Sequence, residues 1–169
     1  FPLWRSGTGE GRIDVTGDYA HAGEHSLHFH VEIDHEVDRG EGGNYPVGWP
    51  RLRATFARGM DFTQYDYFTL WIRIDSDRDE VADDTTPLHL NITTPAQTYL
   101  RSNIIYAVDQ RVWIPVRVPL DEIIDYSADL SEWKHTRSVQ FWLGERQYQH
   151  GTTLDFYLDE IALVRFKTP

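Results

Sequence analysis

Three short stretches of the chain alternate so that one side is apolar and the other is polar. They are Arg51-Leu52-Arg53-Ala54-Thr55-Phe56, Leu88-His89-Leu90-Asn91-Ile92-Thr93 and Val139-Gln140-Phe141-Trp142-Leu143. Alternate side chains of a strand point to opposite faces of a sheet. Leu52, Ala54, Phe56, Leu88, Leu90, Ile92, Val139, Phe141 and Leu143 therefore face a core. Arg51, Arg53, His89, Asn91, Gln140 and Trp142 face the other way. A merely solvated face would be richer in Thr, Ser, Lys and Glu. If the three strands share a sheet, its outer face is cationic, rich in hydrogen-bonding groups, and carries an indole.

Period two governs almost every other patterned segment. Strands are predicted over Arg12–Thr16, Ser26–Ile33, Tyr67–Asp75, Thr98–Val108, Val112–Val118 and Leu154–Phe166, with short helical turns over Asp121–Tyr126 and Leu130–Trp133. Pro115 inside Val112–Val118 favours an edge strand or a bulge, because proline cannot donate to a ladder. Gly/Pro-rich and charged loops separate these runs, and no long amphipathic helix appears. The pattern predicts an all-β, antiparallel β-sandwich or barrel.

With 169 residues the chain suits one domain, taken here as 1–169. The formal net charge is -11, which argues against nucleic acid and against an anionic membrane surface as partner. The arginines of the polar face are a local exception to that sign. The absence of cysteine excludes disulfides and thiolate metal sites. No apolar run reaches the roughly 18 residues of a membrane span. The opening Phe1-Pro2-Leu3-Trp4 reads as a piece of something longer. Aromatic residues make up 14% of the chain, an excess that suits a sugar-binding protein and also a large sandwich core.

Ala20-His21-Ala22-Gly23-Glu24-His25-Ser26-Leu27 resembles the A-x-S-G-x-x-S-L entry to the second strand of galactose-binding-domain-like jelly-roll carbohydrate-binding modules. Asp61-Phe62-Thr63-Gln64-Tyr65-Asp66, followed by Phe68-Thr69-Leu70-Trp71, is similar to their D-(F/L)-S-x-Y-x-x-L-x-F-W stretch. Phe156-Tyr157-Leu158-Asp159-Glu160-Ile161-Ala162-Leu163 looks like their closing strand. The resemblance implies a jelly roll appended to a secreted or cell-surface bacterial enzyme that degrades polysaccharide. It also implies a division of strands. Ser26–Ile33, Tyr67–Asp75, Val112–Val118 and Tyr157–Val164 would form one sheet. Arg51–Phe56, Leu88–Thr94, Thr98–Tyr106 and Val139–Gly144 would form the other, the sheet that often carries the sugar in such modules.

Arg51, Arg53, His89, Asn91, Gln140 and Trp142 are thus the candidate sugar-binding residues, with Tyr99 and Arg101 extending the site from the neighbouring strand. An aromatic ring suits the apolar face of a pyranose, and arginine forks onto a carboxylate or sulfate. The competing reading is a solvated face with its arginines paired to carboxylates. Tyr45 and Trp49 could wall the pocket or plug the sandwich end. Trp71 and Trp113 are expected to be structural, Trp71 covered by the N-terminal segment. The resemblance further implies a structural calcium held by Asp159 with Glu24 and nearby carbonyls; the alternative for Asp159 is hydrogen bonding to loop amides. The acidic run Asp75–Asp84 lacks EF-hand spacing and reads as a solvated loop. His28 and His30 lie on one strand face at a spacing that could hold a transition metal, but no third ligand is near in sequence, which favours solvent exposure.

The function expected is non-catalytic binding of a polysaccharide or oligosaccharide, with a covalently linked catalytic domain as the further partner. The enzymatic rival is a jelly-roll polysaccharide lyase, for which Tyr99, His89, Asn91 and Arg53 have suitable residue types. The chain is short for such enzymes and lacks their R-x-E-x-R and Q-(I/V)-H strands. The polar face carries no carboxylate pair for glycoside hydrolysis. A third reading is a structural accessory sandwich with Trp142 buried against another domain.

Overall fold

The computed structural model describes residues 3–6, 11–35, 50–78, 88–96, 98–101, 109–124 and 129–166. Ten strands follow one another: β1 (Leu3–Ser6), β2 (Arg12–Thr16), β3 (Ser26–Glu32), β4 (Arg51–Met60), β5 (Tyr67–Ser76), β6 (His89–Thr93), β7 (Thr98–Arg101), β8 (Ile114–Pro119), β9 (Thr136–Trp142) and β10 (Thr153–Val164). They form two five-stranded sheets, ordered β1-β4-β9-β6-β7 and β2-β3-β10-β5-β8. The pairings are antiparallel throughout. Among the described residues the α-helix is a single turn, α1 (Asp121–Ile124). The chain is an all-β sandwich, and its strands divide between the sheets as expected.

Alternation builds the core. In β5 every second residue is buried, and Phe68, Leu70, Ile72 and Ile74 meet the opposite sheet. Phe29 and Val31 of β3, Leu90 and Ile92 of β6, Val139 and Phe141 of β9 and Leu154, Phe156 and Leu158 of β10 complete the filling. Each such side chain contributes about 1.5–3 kcal/mol when taken from water. Phe62 and Trp133, both fully buried, close one end from two 3-10 turns that pack together. Trp4 of β1 stacks on Phe141 at 5.8 Å between ring centroids, which joins this first strand to the core.

Two irregularities shape the surface. The β4–β9 register shifts between Thr55 and Met60, where Gly59 adopts φ 71° beside the His135 backbone. A side chain there would be strained by the left-handed backbone and crowded by that neighbour. In β10 a bulge falls between Asp159 and Ala162, with Glu160 at φ 48°. It turns Asp159 and Glu160 toward the loop before β3. Pro115 lies on β8, which pairs only with β5 and so is an edge strand.

Candidate functional site

The outer face of the β1-β4-β9-β6-β7 sheet is ordered by register. Arg51 lies opposite Trp142, and Trp142 opposite His89. Arg53 lies opposite Gln140, and Gln140 opposite Asn91. A third row is Thr55, Ser138 and Thr93. Directly paired residues of antiparallel strands share a face, so the six predicted residues stand together in two adjacent rows. Sequence reasoning stopped one residue short of Ser138 and so missed the third row, although the alternation Ser138-Val139-Gln140 already pointed to it.

Hydrogen bonds tie the rows crosswise. The Arg53 Nε donates to Gln140 Oε1 at 3.0 Å. The Trp142 indole N–H donates to Asn91 Oδ1 at 2.8 Å. The Trp142 ring also stacks on His89, 4.2 Å between centroids. The indole is therefore half-buried and built into the sheet face, not the bare plate that alternation alone suggested. His89 and Gln140 are buried beneath their neighbours, and Arg53 is exposed.

These bonds leave donors in excess. Arg53 spends Nε on a side-chain amide, and among the described residues its two terminal nitrogens make no hydrogen bond. Gln140 and Asn91 use their carbonyl oxygens as acceptors, which leaves their NH2 groups. The three rows contain no carboxylate. Burial lowers the pKa of His89, with the Gln147 side chain opposing it. The ring is thus neutral at pH 7, and the positive charge of the face belongs to the arginines. His89 Nδ1 and Gln147 Oε1 are both buried and face each other beyond close hydrogen-bond geometry, so each is at best weakly satisfied. Such atoms cost about 1–3 kcal/mol each.

Tyr99 and Arg101 correct the expectation. Tyr99 lies opposite Ile92 and Arg101 opposite Leu90, whereas Leu100 lies opposite Asn91. The register of β7 therefore pairs Tyr99 and Arg101 with core-facing residues and not with the polar rows. Their side chains, like Tyr45 and Trp49, lie outside the described residues.

The expected calcium position is built differently from a cage of oxygens. Asp159 Oδ2 accepts the backbone N–H groups of His21 and Ala22 at 2.8 and 3.0 Å, and Oδ1 accepts that of Glu160 at 2.7 Å. Three N–H donors converge on one carboxylate, which is the loop-amide alternative. Glu24 is exposed, and no contact joins it to Asp159 among the described residues. Among the described residues the contacts of Asp159 are to N–H donors, whereas calcium takes six to eight oxygens. His21, anchored by this loop, stacks on Trp71 at 3.7 Å and bonds Glu160 at 2.6 Å, so the N-terminal segment does cover Trp71. Trp113 is only half-buried and meets the edge of His21 rather than the core.

Two expectations about polar segments also change. Asp75 receives both Arg73 Nε and a terminal nitrogen at 3.0 Å, and Asp77 caps the Thr153 N–H at 2.9 Å. This part of the acidic run is pinned to the sheet; residues 79–87 lie outside the described residues. His28 and His30 are not solvent-exposed but half-buried, because Asp155 of β10 reaches both.

Two grooves open elsewhere. One of 560 Å³ runs beside Trp71, Arg117, Glu160 and Phe166. A smaller one of 140 Å³ is apolar, between Trp4, Phe56, Met60 and Phe62.

No protein-family model matches the sequence, and no curated protein matches it. Solved structures do. A family 30 carbohydrate-binding module of a cellulosomal cellulase of Clostridium thermocellum matches at TM-score 0.64 and 13% identity, over 99% of this chain and 92% of its own. A family 11 module of another cellulosomal cellulase of the same organism matches at TM-score 0.56 and 13% identity, over 97% and 87%. A β-1,2-glucanase from Parabacteroides distasonis matches at TM-score 0.59 and 18% identity, over 98% of this chain and only 23% of the enzyme. At such identities the likeness speaks for architecture. The chain has the two-sheet β-sandwich fold of these carbohydrate-binding modules.

Proposed function

We propose that this chain is a non-catalytic carbohydrate-binding module that holds a polysaccharide on the outer face of the β1-β4-β9-β6-β7 sheet. The observation that carries the reading is the pair of rows Arg51–Trp142–His89 and Arg53–Gln140–Asn91, a set of planar hydrogen-bonding side chains none of which is a carboxylate. Sugar hydroxyls accept such donors, and an arginine fork adds an anionic substituent. An acidic glycan is therefore the first ligand class to test. The neutral indole–imidazole stack offers an apolar patch beside them.

The solved neighbours support the reading, since their sandwiches serve as binding modules of a cellulase and as a xylan-binding domain. A secreted or cell-surface protein with a linked catalytic domain follows by the same analogy. No helix among the described residues is long and apolar enough to cross a membrane. For the lyase reading, the β7 register sets Tyr99 opposite Ile92 and so apart from the row of Asn91, which leaves His89 as its candidate base. Glycoside hydrolysis loses its two carboxylates on this face.

Affinity electrophoresis across neutral, uronate-containing and sulfated polysaccharides tests the proposal. Retardation by at least one acidic glycan, with no unsaturated or reducing-end product, supports a binding module. Ultraviolet-absorbing unsaturated product would transfer the case to a lyase. No retardation by any glycan would leave a solvated sheet face.

A further inference from the structure

On the opposite sheet, a second constellation stands apart from the sugar-binding reading. Two rows of the outer face run Asp14–His28–Tyr157 and Arg12–His30–Asp155 across β2, β3 and β10. His28 Nε2 and His30 Nδ1 both lie 2.7 Å from the same atom, Asp155 Oδ1. The other ring nitrogens face carboxylates too. His28 Nδ1 is 3.0 Å from Asp14 Oδ1, and His30 Nε2 is 3.2 Å from Glu32 Oε1. Tyr157 stacks on His28 at 4.8 Å and fixes the plane of that ring. The histidine side chains are only 19% and 18% exposed.

The proton count decides what this cluster needs. Four ring nitrogens face carboxylate oxygens, and an oxygen of an ionised carboxylate only accepts. Two neutral imidazoles own two N–H groups between them. Two contacts would therefore set lone pair against lone pair unless two further positive charges are supplied. Among the described residues, Arg12 stands beside the three carboxylates Asp14, Glu32 and Asp155, 3.7 Å from Glu32, while Arg73, opposite Tyr157, is engaged by Asp75. One divalent cation satisfies both deficits at once.

We propose that His28 Nε2, His30 Nδ1 and Asp155 bind a borderline divalent metal ion of the zinc class, with a solvent molecule completing the coordination. The three ligand atoms lie within 4.8 Å of one another. Zinc bonds of about 2.0–2.1 Å in a tetrahedron separate ligand atoms by roughly 3.4 Å, so the two 2.7 Å contacts to Asp155 Oδ1 lengthen by less than about an ångström to admit the ion. The remaining N–H groups, His28 Nδ1 and His30 Nε2, then donate to Asp14 and Glu32. That is how metal-ligating histidines are normally oriented, each by a carboxylate on its far nitrogen. Imidazole and carboxylate with no thiolate select zinc, nickel or copper over calcium. The ion would clamp β3 to β10, and through Asp14 it would hold the edge strand β2.

The test uses the whole chain without a polyhistidine tag, stripped with chelator. Isothermal titration with zinc chloride at pH 7.5 is expected to show one ion per chain and a melting temperature that rises with zinc. His28→Ala with His30→Ala, or Asp155→Asn alone, is expected to lose this binding. Asp14→Ala lies outside the ligand set and is expected to weaken it about 10–100-fold with the fold intact by circular dichroism. Cobalt substitution should give tetrahedral d–d absorption in the wild type and none in the double histidine variant or in Asp155→Asn. His35→Ala with His150→Ala, a pair elsewhere, should bind as the wild type does. Absence of zinc binding at several hundred micromolar, or binding unchanged in the double histidine variant, would overturn the proposal.

Discussion

Trp142 lies face to face with His89, 4.2 Å between ring centroids and 18° between planes, while its N–H reaches Asn91 Oδ1. Three side chains from two strands are thereby locked into one unit. The unit joins the sheet's stability to the face it presents.

Trp142→Phe keeps a ring over His89 and gives up the indole hydrogen bond, a loss of about 1 kcal/mol. Trp142→Ala removes the stack as well and costs about 0.5–1.5 kcal/mol more for the aromatic pair, beyond lost burial. Urea unfolding of both variants reads the difference. Equal stabilities would mean that the stack contributes nothing.

His89 gives the pH dependence. Its pKa is lowered by burial, so between that value and about 6.5 the unfolded chain carries a proton that the folded chain does not. The group's contribution is fully present above about 6.5 and declines as pH falls. Melting curves from pH 7.5 to 5 should therefore drop less steeply for His89→Gln than for the wild type. An imidazole resonance that titrates at or above 6.5 in the folded protein would contradict the assignment.

Asp159 holds three backbone N–H groups of two segments. Asp159→Ala should cost about 1–3 kcal/mol, because hydrogen bonds to a charged group are at the strong end of the range. It should also free the 17–25 loop from Trp71, read as increased amide exchange at His21 and Ala22. Added calcium should leave the melting temperature of the chelator-stripped wild type unchanged. A rise with added calcium that vanishes in Asp159→Ala would restore the calcium reading.

The strands and the division between sheets were legible because period-two burial leaves a direct trace in residues such as Phe68, Leu70, Ile72 and Ile74. The polar rows were legible for the same reason. What alternation cannot supply is register between strands. Tyr99 and Arg101 alternate cleanly, yet β7 meets β6 with Leu100 opposite Asn91. Nor does it supply partners brought from afar. His28 and His30 reach Asp155 across more than a hundred residues, so no local spacing could announce this shared partner. Asp159 matched a motif position, but its three backbone N–H partners follow from the β10 bulge, which no local pattern announces.

The central claim is that the Arg53–Gln140–Asn91 row is a ligand surface. The most direct measurement is isothermal titration of the wild type, Arg53→Ala and Asn91→Ala with the polysaccharide that retards the protein most, at low and high salt, with folding checked by circular dichroism. The account predicts micromolar to millimolar binding by the wild type and at least tenfold weakening in each variant. For an acidic glycan it also predicts further loss at high salt, as screening of an exposed arginine requires. Binding of equal strength in all three proteins would contradict it, and would move the site away from this face.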